Sequence, residues 1–138
     1  MMHFFKFQVG DWVKENGLPQ HHLRVTSVGF DMNAGLPIYQ VFDTTLRRGH
    51  ADYEWRWAHP FEANSILVQR ANGPLHVQQI LGRCQNFCCL KYSIPQRQDC
   101  ESIQRFIHTG READRWSPQV WTGIAAAITV AIMVAVNR

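Results

Sequence analysis

A long apolar segment without charged residues most constrains how this chain can fold. Residues 120–136 (VWTGIAAAITVAIMVAV) form a run of 17 residues, and as one α-helix the run would extend roughly 25 Å, the short end of what crosses a bilayer. A helix in the core of a small domain keeps one polar face, whereas this run is apolar on every side. We therefore expect residues 117–138 to form a C-terminal membrane anchor, with a buried core helix as the alternative.

The whole chain is long enough for one domain in addition to this segment. Its 138 residues are 46% hydrophobic and 18% charged, a composition that allows a packed core. We expect residues 1–116 to form a domain on the cytoplasmic face of a membrane, because Arg111 and Arg115 precede the apolar segment. The net charge of +3 comes from scattered Lys and Arg residues, so binding to nucleic acid is not expected.

Cysteine usage indicates free thiols rather than disulfides or metal ligands. The four cysteines are Cys84, Cys88, Cys89 and Cys100. Because the N-terminus lacks the charged-then-apolar layout of a secretory signal, we expect these thiols to be reduced. No C-x-x-C pair occurs, and we predict neither a metal site nor a cofactor.

The hydrophobic pattern changes along the chain from strand-like alternation to helical periodicity, which predicts an α+β fold with antiparallel strands first. Strands are expected at residues 4–14 (broken at Gly10-Asp11), 23–28, 38–42, 53–58 and 87–92, and residues 64–70 form a β-branched and apolar run. Helices are expected from Leu75 to a stop at Gly82 and from Asp99-Cys100 to Gly110.

Cys100 stands at the predicted start of the second helix, where Asp99 can cap it. A helix N-terminus stabilises negative charge, which biases a cysteine there towards the thiolate, the reactive form. The position therefore predicts a nucleophile. The alternative is a first-turn cysteine that packs as a small hydrophobe.

A nucleophilic cysteine needs a base, and a histidine pair offers one. His21 and His22 directly precede the strand that begins at Leu23. A histidine at a strand edge beside a helix N-terminus is the papain-type arrangement, here with the histidine first in the chain. The alternative for the pair is a solvated loop.

These motifs together resemble the lecithin retinol acyltransferase (LRAT) family, in particular its HRAS-like suppressor phospholipase/acyltransferase branch and the related picornaviral H-box/NC proteins. Val9-Gly10-Asp11 matches the family's early Gly-Asp, and His22 leads into LRVTSVG as its His box does, with one extra residue before Gly29. Asp99-Cys100-Glu101 takes the place of its Asn-Cys-Glu. The helix to Gly110 and the apolar tail complete a resemblance that covers nearly the whole chain.

The resemblance implies a circularly permuted papain-like (NlpC-superfamily) fold with an antiparallel sheet, packed helices and a C-terminal hydrophobic helix. It also implies a membrane-associated thiol phospholipase/acyltransferase whose partners are the membrane and a phospholipid substrate. His22 would deprotonate Cys100, which would form an acyl thioester and pass the acyl group to water, a lysolipid or an amine. Gln40 takes the place of the family's second histidine, with Asp43 and His21 as fallback residues.

Two departures from the family favour a second hypothesis. Asp99 places a carboxylate beside the nucleophile, which opposes thiolate formation, and Gln40 cannot stabilise an imidazolium as a charged group would. The chain is then a catalytically inactive H-box/NC-type protein that acts as a membrane-associated interaction factor. A thiol peptidase is a weaker third interpretation, because a lipid-anchoring tail does not suit a peptide cleft.

Overall fold

Alternation of apolar and polar residues in the first half of the chain produces an antiparallel sheet, and the α+β class is confirmed. The computed structural model describes residues 2–17, 20–47, 50–88, 100–111 and 114, with the side chains of residues 45–47, 50 and 88 left out. The elements of these residues are β1 (Trp12–Glu15), β2 (His21–Asp31), β3 (Leu36–Arg47), β4 (His50–Trp57), α1 (Ala58–Ala63), β5 (Ser65–Gln69), α2 (Pro74–Cys88) and α3 (Cys100–Thr109).

The five strands form one sheet in the order β4-β3-β2-β1-β5, and each neighbouring pair is antiparallel. The long strands β2 and β3 make its centre, with Leu23 opposite Asp43 and Arg24 opposite Phe42. The register of this pair shifts between Val25 and Ser27, where β2 carries one extra residue. The residues of β2 after this bulge are therefore paired with β3 in a register shifted by one residue from that of the residues before it.

Each face of the sheet carries its own apolar cluster. One cluster joins the N-terminal segment and α1 to the sheet and includes Phe7, Leu23, Val25 and Phe61. The other packs α2 and α3 on the opposite face, around Phe42, Ile80, Cys84, Ile103 and Ile107. We call the second face the helix face.

Several element boundaries differ from the sequence prediction. Helix α2 continues through Gly82 to Cys88, so the strand predicted to begin at Phe87 is wrong at its first two residues. Its later residues, 89–92, lie outside the described part of the chain. The strand predicted over residues 4–14 is limited to the segment from Trp12, and α1 falls on the end of the predicted strand 53–58. Gly110 ends α3 as predicted, with a positive φ of 71°.

The hydrophobic segment 117–138 lies outside the described residues, so the domain limits 1–116 and 117–138 stay predictions. Among the residues that are described, no helix has the length and apolar character needed to span a bilayer.

Gly10 allows a close approach that a side chain would block. Its φ is +96°, and a Cβ there would lie 3.1 Å from Val77 Cγ2 and 3.2 Å from Ala71 Cβ. We expect Gly10→Ala to lower the free energy of unfolding by roughly 2–4 kcal/mol, through backbone strain and overpacking. Gly35→Ala is the matched control, since Gly35 has a φ of +66° but open space around it. Equal losses for both variants in urea unfolding would contradict the packing argument.

Candidate functional site

Cys100 is the first residue of α3, and the residue is partly exposed. Its Sγ lies 3.9 Å from the backbone oxygen of Gln20 and donates to it. Gln20 directly precedes β2, so the start of the helix lies against the start of the strand. The backbone N–H groups of a first helical turn favour negative charge, a setting that suits a thiolate.

Alternation along β2 decides which histidine faces this helix. The Arg24 guanidinium donates to Gln104 of α3, so Arg24 projects from the helix face. Successive side chains of a strand point to opposite faces, which places His22 on the helix face and His21 on the other. The structure therefore brings His22, rather than His21, to the same side of the sheet as Cys100.

Thr44 connects the two candidate residues through their backbones. Its Oγ1 lies 2.9 Å from the carbonyl oxygen of His22 and 3.0 Å from that of Cys100. Gln104 Nε2 donates to the same hydroxyl at 3.3 Å. A single side chain on β3 thus fixes the first residue of α3 beside His22, and this link is the strongest geometric support for a site at this position.

Arg24 is a fully buried cation that holds the surrounding backbone in place. Nε donates to Gln104 Oε1 at 2.9 Å, Nη2 to the Gln104 carbonyl at 2.9 Å, and Nη1 to the Gly10 carbonyl at 3.1 Å. Nη1 also lies 3.2 Å from His108 Nδ1, which accepts. Desolvation lowers the pKa of Arg24 to about 10, so the group remains charged at neutral pH.

Trp12 makes a hydrogen bond to the ring of His22. The indole N–H of Trp12 donates to Nδ1 of His22 at 3.1 Å. A donor at Nδ1 requires the lone pair of that nitrogen, so the contact favours the uncharged ring with its proton on Nε2. The face of the same indole lies against Arg24, with 5.6 Å between the guanidinium carbon and the ring centroid. Proton uptake at Nδ1 requires this indole to move away.

The fallback residues His21 and Asp43 contact each other on the opposite face. His21 Nδ1 lies 2.8 Å from Asp43 Oδ2, and both residues are buried. Arg56 Nη2 lies 3.7 Å from the same carboxylate oxygen and Arg56 Nε pairs with Glu15 at 3.1 Å. This cluster is a buried ion-pair network, and its side of the sheet is not the side from which α3 presents Cys100.

Gln40 does not lie beside His22, and its proposed role in orienting that ring is corrected. It stands opposite Ser27, beyond the bulge, and its Oε1 accepts from Thr26 Oγ1 at 3.1 Å. Four residues of β3 separate it from Thr44, a distance of about 13 Å along a strand. The side chain within reach of His22 Nδ1 is Trp12 instead.

The remaining predicted positions divide between described and undescribed residues. Asp99, predicted to cap α3, lies outside the described residues. Cys84 is buried in the helix-face cluster, where desolvation raises the pKa of its thiol to about 12. Within the described ranges, no three His, Cys, Asp or Glu side chains are grouped so that they could hold a metal ion.

Sequence reasoning missed the residues that support the site: Trp12, Arg24, Thr44 and Gln104. Two of them carry a signal that is visible without a structure. Arg24 stands among apolar residues of an alternating strand and shares its face with His22. Gln104 is four residues after Cys100 and therefore lies on the same helical face.

Comparison with known proteins gave no relative: no family model, no curated protein and no solved structure matches this chain.

Loss of the Arg24 cation leaves three buried oxygen acceptors without their donors. We expect Arg24→Met to reduce the free energy of unfolding by about 3 kcal/mol, because buried acceptors then lose their hydrogen bonds. Arg111→Met removes an exposed cation paired with Asp114 and serves as the control, with a change below about 0.5 kcal/mol. Urea denaturation measures both. Similar losses for the two variants would contradict a structural role for Arg24.

His108 gives the fold a specific sensitivity to acid. Desolvation and the neighbouring Arg24 charge lower the pKa of His108 to about 4 from its ordinary value of 6.5. The unfolded chain binds this proton at higher pH than the folded one, so stability is lost as the pH falls from about 6.5 to about 4. In His108→Gln an amide oxygen can still accept from Arg24, and we expect a smaller decrease in urea midpoint between neutral pH and about pH 4.5.

The matched control is His59→Gln, which replaces an exposed histidine. This variant is expected to keep the wild-type dependence on pH. If His108→Gln shows the same decrease in midpoint as wild type, His108 is not the group responsible.

Proposed function

We propose that this chain is a membrane-associated thiol enzyme that acts on phospholipid acyl groups, with Cys100 as nucleophile and His22 as base. The observation that carries the proposal is the Thr44 hydroxyl, which lies within 3.0 Å of the backbone oxygens of both residues. A strand histidine that precedes a helix-start cysteine in the chain also supports a permuted papain-like arrangement of these elements. The lipid substrate follows from the LRAT resemblance and from the apolar residues 120–136, which would hold the site at a bilayer.

The proposed reaction has two acyl-transfer steps. His22 takes the proton of the Cys100 thiol, and the thiolate attacks the ester carbonyl to form a tetrahedral oxyanion. Collapse of the oxyanion breaks the ester bond, leaves an acyl thioester on Cys100, and releases the lysolipid alcohol with the proton from His22. Water, a lysolipid or an amine then attacks the thioester, gives its proton to His22, and restores the thiol.

Trp12 has a defined place in this cycle. While its N–H occupies His22 Nδ1, the neutral ring carries its proton on Nε2 and has no second lone pair for the thiol proton. The Sγ of Cys100 meanwhile donates to Gln20. We infer that the described arrangement is a resting state, and that activation frees Nδ1 from the indole.

The same two contacts favour the second candidate, an inactive membrane-associated interaction protein. The Cys100 thiol donates to a carbonyl, and the His22 ring accepts from an indole N–H. Both contacts disfavour the thiolate–imidazolium pair. On this hypothesis the Arg24 and Thr44 bonds keep the fold of an ancestral site without its turnover.

Thiol alkylation tests whether Cys100 is accessible, and lipid turnover distinguishes the two candidates. We expect iodoacetamide to label Cys100 faster than Cys84, which is buried and carries a raised thiol pKa.

His22→Gln should slow phospholipid turnover at least about 100-fold, the usual contribution of a general base. Its matched control is His21→Gln, which changes the neighbouring histidine on the opposite face of the sheet. In this variant we expect phospholipid turnover to fall only in proportion to any loss of folded protein.

Trp12→Phe removes the indole N–H but retains an aromatic ring against Arg24. We expect faster alkylation of Cys100 in this variant, because His22 Nδ1 then no longer accepts the indole N–H. If Cys100 labels no faster than Cys84 and Cys100→Ala leaves lipid turnover unchanged, the enzyme proposal fails and the interaction protein replaces it.

A further inference from the structure

An aromatic cavity lies at the end of the sheet far from Cys100. It has a volume of about 480 Å³ and lies where the β2–β3 hairpin meets the end of β4. Its lining residues are Phe30, Asp31, Met32, Ile38, Trp55 and Trp57. Six residues of β3 separate Ile38 from Thr44, about 20 Å along a strand, so this cavity is distinct from the candidate thiol site.

Both tryptophans stand on a part of the helix face that the helices leave uncovered. Trp55 is opposite Gln40 and Trp57 is opposite Ile38, whereas the helix-face cluster lies around Phe42. Trp55 is 60% exposed and Trp57 is 45% exposed. Because the two exposed indoles line one cavity, they form part of a contiguous apolar surface, and such surfaces mark binding sites.

Trp55 and Trp57 are neighbours on one face of β4. Side chains two residues apart on one strand face stand about 7 Å apart, and a cation between them is within the roughly 6 Å range of cation–π attraction to both. Among the described residues no ring stack joins Trp55 to Trp57. Phe30 also lines the cavity, while its ring contacts that of Phe5, with 6.1 Å between the ring centroids.

Charge in the cavity selects the same kind of ligand. Among the described residues that line it, Asp31 alone is charged; one oxygen, Oδ1, accepts from the N–H of Ala34 at 2.8 Å. A carboxylate beside aromatic faces favours a cation over an anion. The apolar wall made by Ile38 and Met32 favours a weakly hydrated, methylated ammonium over the strongly hydrated ammonium of lysine.

We propose that this cavity binds the quaternary ammonium of a choline headgroup at a membrane surface. A bilayer is favoured as the source because apolar side chains surround the cavity at the tip of the hairpin, with Met32 93% and Leu36 48% exposed. Tryptophans concentrate at the headgroup level of membranes, where one end of the ring is apolar and the other is wet. The inference goes beyond the proposed function, because headgroup binding at this end does not require a reactive Cys100.

Vesicle binding by the full chain tests the proposal. Phosphatidylcholine and phosphatidylethanolamine differ in the three methyl groups on the headgroup nitrogen. Any binding through residues 120–136 contributes equally to both kinds of vesicle. We expect tighter binding to phosphatidylcholine and a loss of affinity of about tenfold for it in Trp55→Leu/Trp57→Leu, which keeps apolar side chains but removes both π faces. Asp31→Asn, which can retain the bond to Ala34, should weaken the same preference.

The control variant is Ile66→Ala, which removes a 55% exposed apolar side chain from β5 and should keep the choline preference. Equal binding to the two lipids, or a preference that survives loss of both tryptophans, would overturn the proposal.

Tetramethylammonium chloride separates the possible sources of the ligand. If it quenches the fluorescence of Trp55 and Trp57 while phosphatidylcholine vesicles bind no better than phosphatidylethanolamine, the cavity takes a soluble amine and the membrane assignment is wrong. Iodoacetamide labelling of Cys100 needs no membrane, so it separates failure of this proposal from loss of the reactive thiol.

Discussion

The buried guanidinium of Arg24 is the interaction on which the candidate site depends. Arg24 lies on β2 and connects this strand to two other parts of the chain. Its guanidinium donates one hydrogen bond to the Gly10 carbonyl and two to Gln104 of α3. Removal of such a charge from water is costly, and the cost is offset only when its donors find acceptors. Helix α3 is therefore fixed in both position and rotation, and the first residue of that helix is Cys100.

The Arg24 charge also accounts for the uncharged state of His108. His108 accepts from Arg24 and must be unprotonated to do so, which agrees with the downward pKa shift of its ring. Trp12 contributes its π face to Arg24 and its N–H to His22. One indole thus couples the structural cation to the candidate base, and a rearrangement at either end changes the other.

The sequence was most informative where local chemistry decides the outcome. The helix start at Cys100 and the helix end at Gly110 follow from first-turn and left-handed preferences that act within a few residues. Gly82 failed as a stop because α2 is stabilised by packing at Ile80, Cys84 and Phe87, and burial outweighs a cost of about 1 kcal/mol for a helical glycine. Tertiary packing of this kind has no local signature.

The sequence predicts the two principal residues of the candidate site unequally. Cys100 follows from a local helix start, whereas the choice of histidine depends on tertiary packing. A histidine pair before a strand can be recognised in a sequence, but the choice between His21 and His22 depends on which face meets α3. Gln40 was placed wrongly because the pairing of β2 with β3 was not known: Leu23 lies opposite Asp43, so the residue level with His22 is Thr44, and Gln40 lies opposite Ser27.

The bulge between Val25 and Ser27 gives β2 one residue more than β3 across this stretch. An insertion in a regular strand would turn every later or earlier side chain to the other face. Here the register shift between Val25 and Ser27 absorbs the insertion after Arg24, so His22 and Arg24 keep one face and both stay directed at α3. The bulge thus lies beyond the part of β2 that presents His22 on the side of Cys100, and it leaves that presentation unchanged.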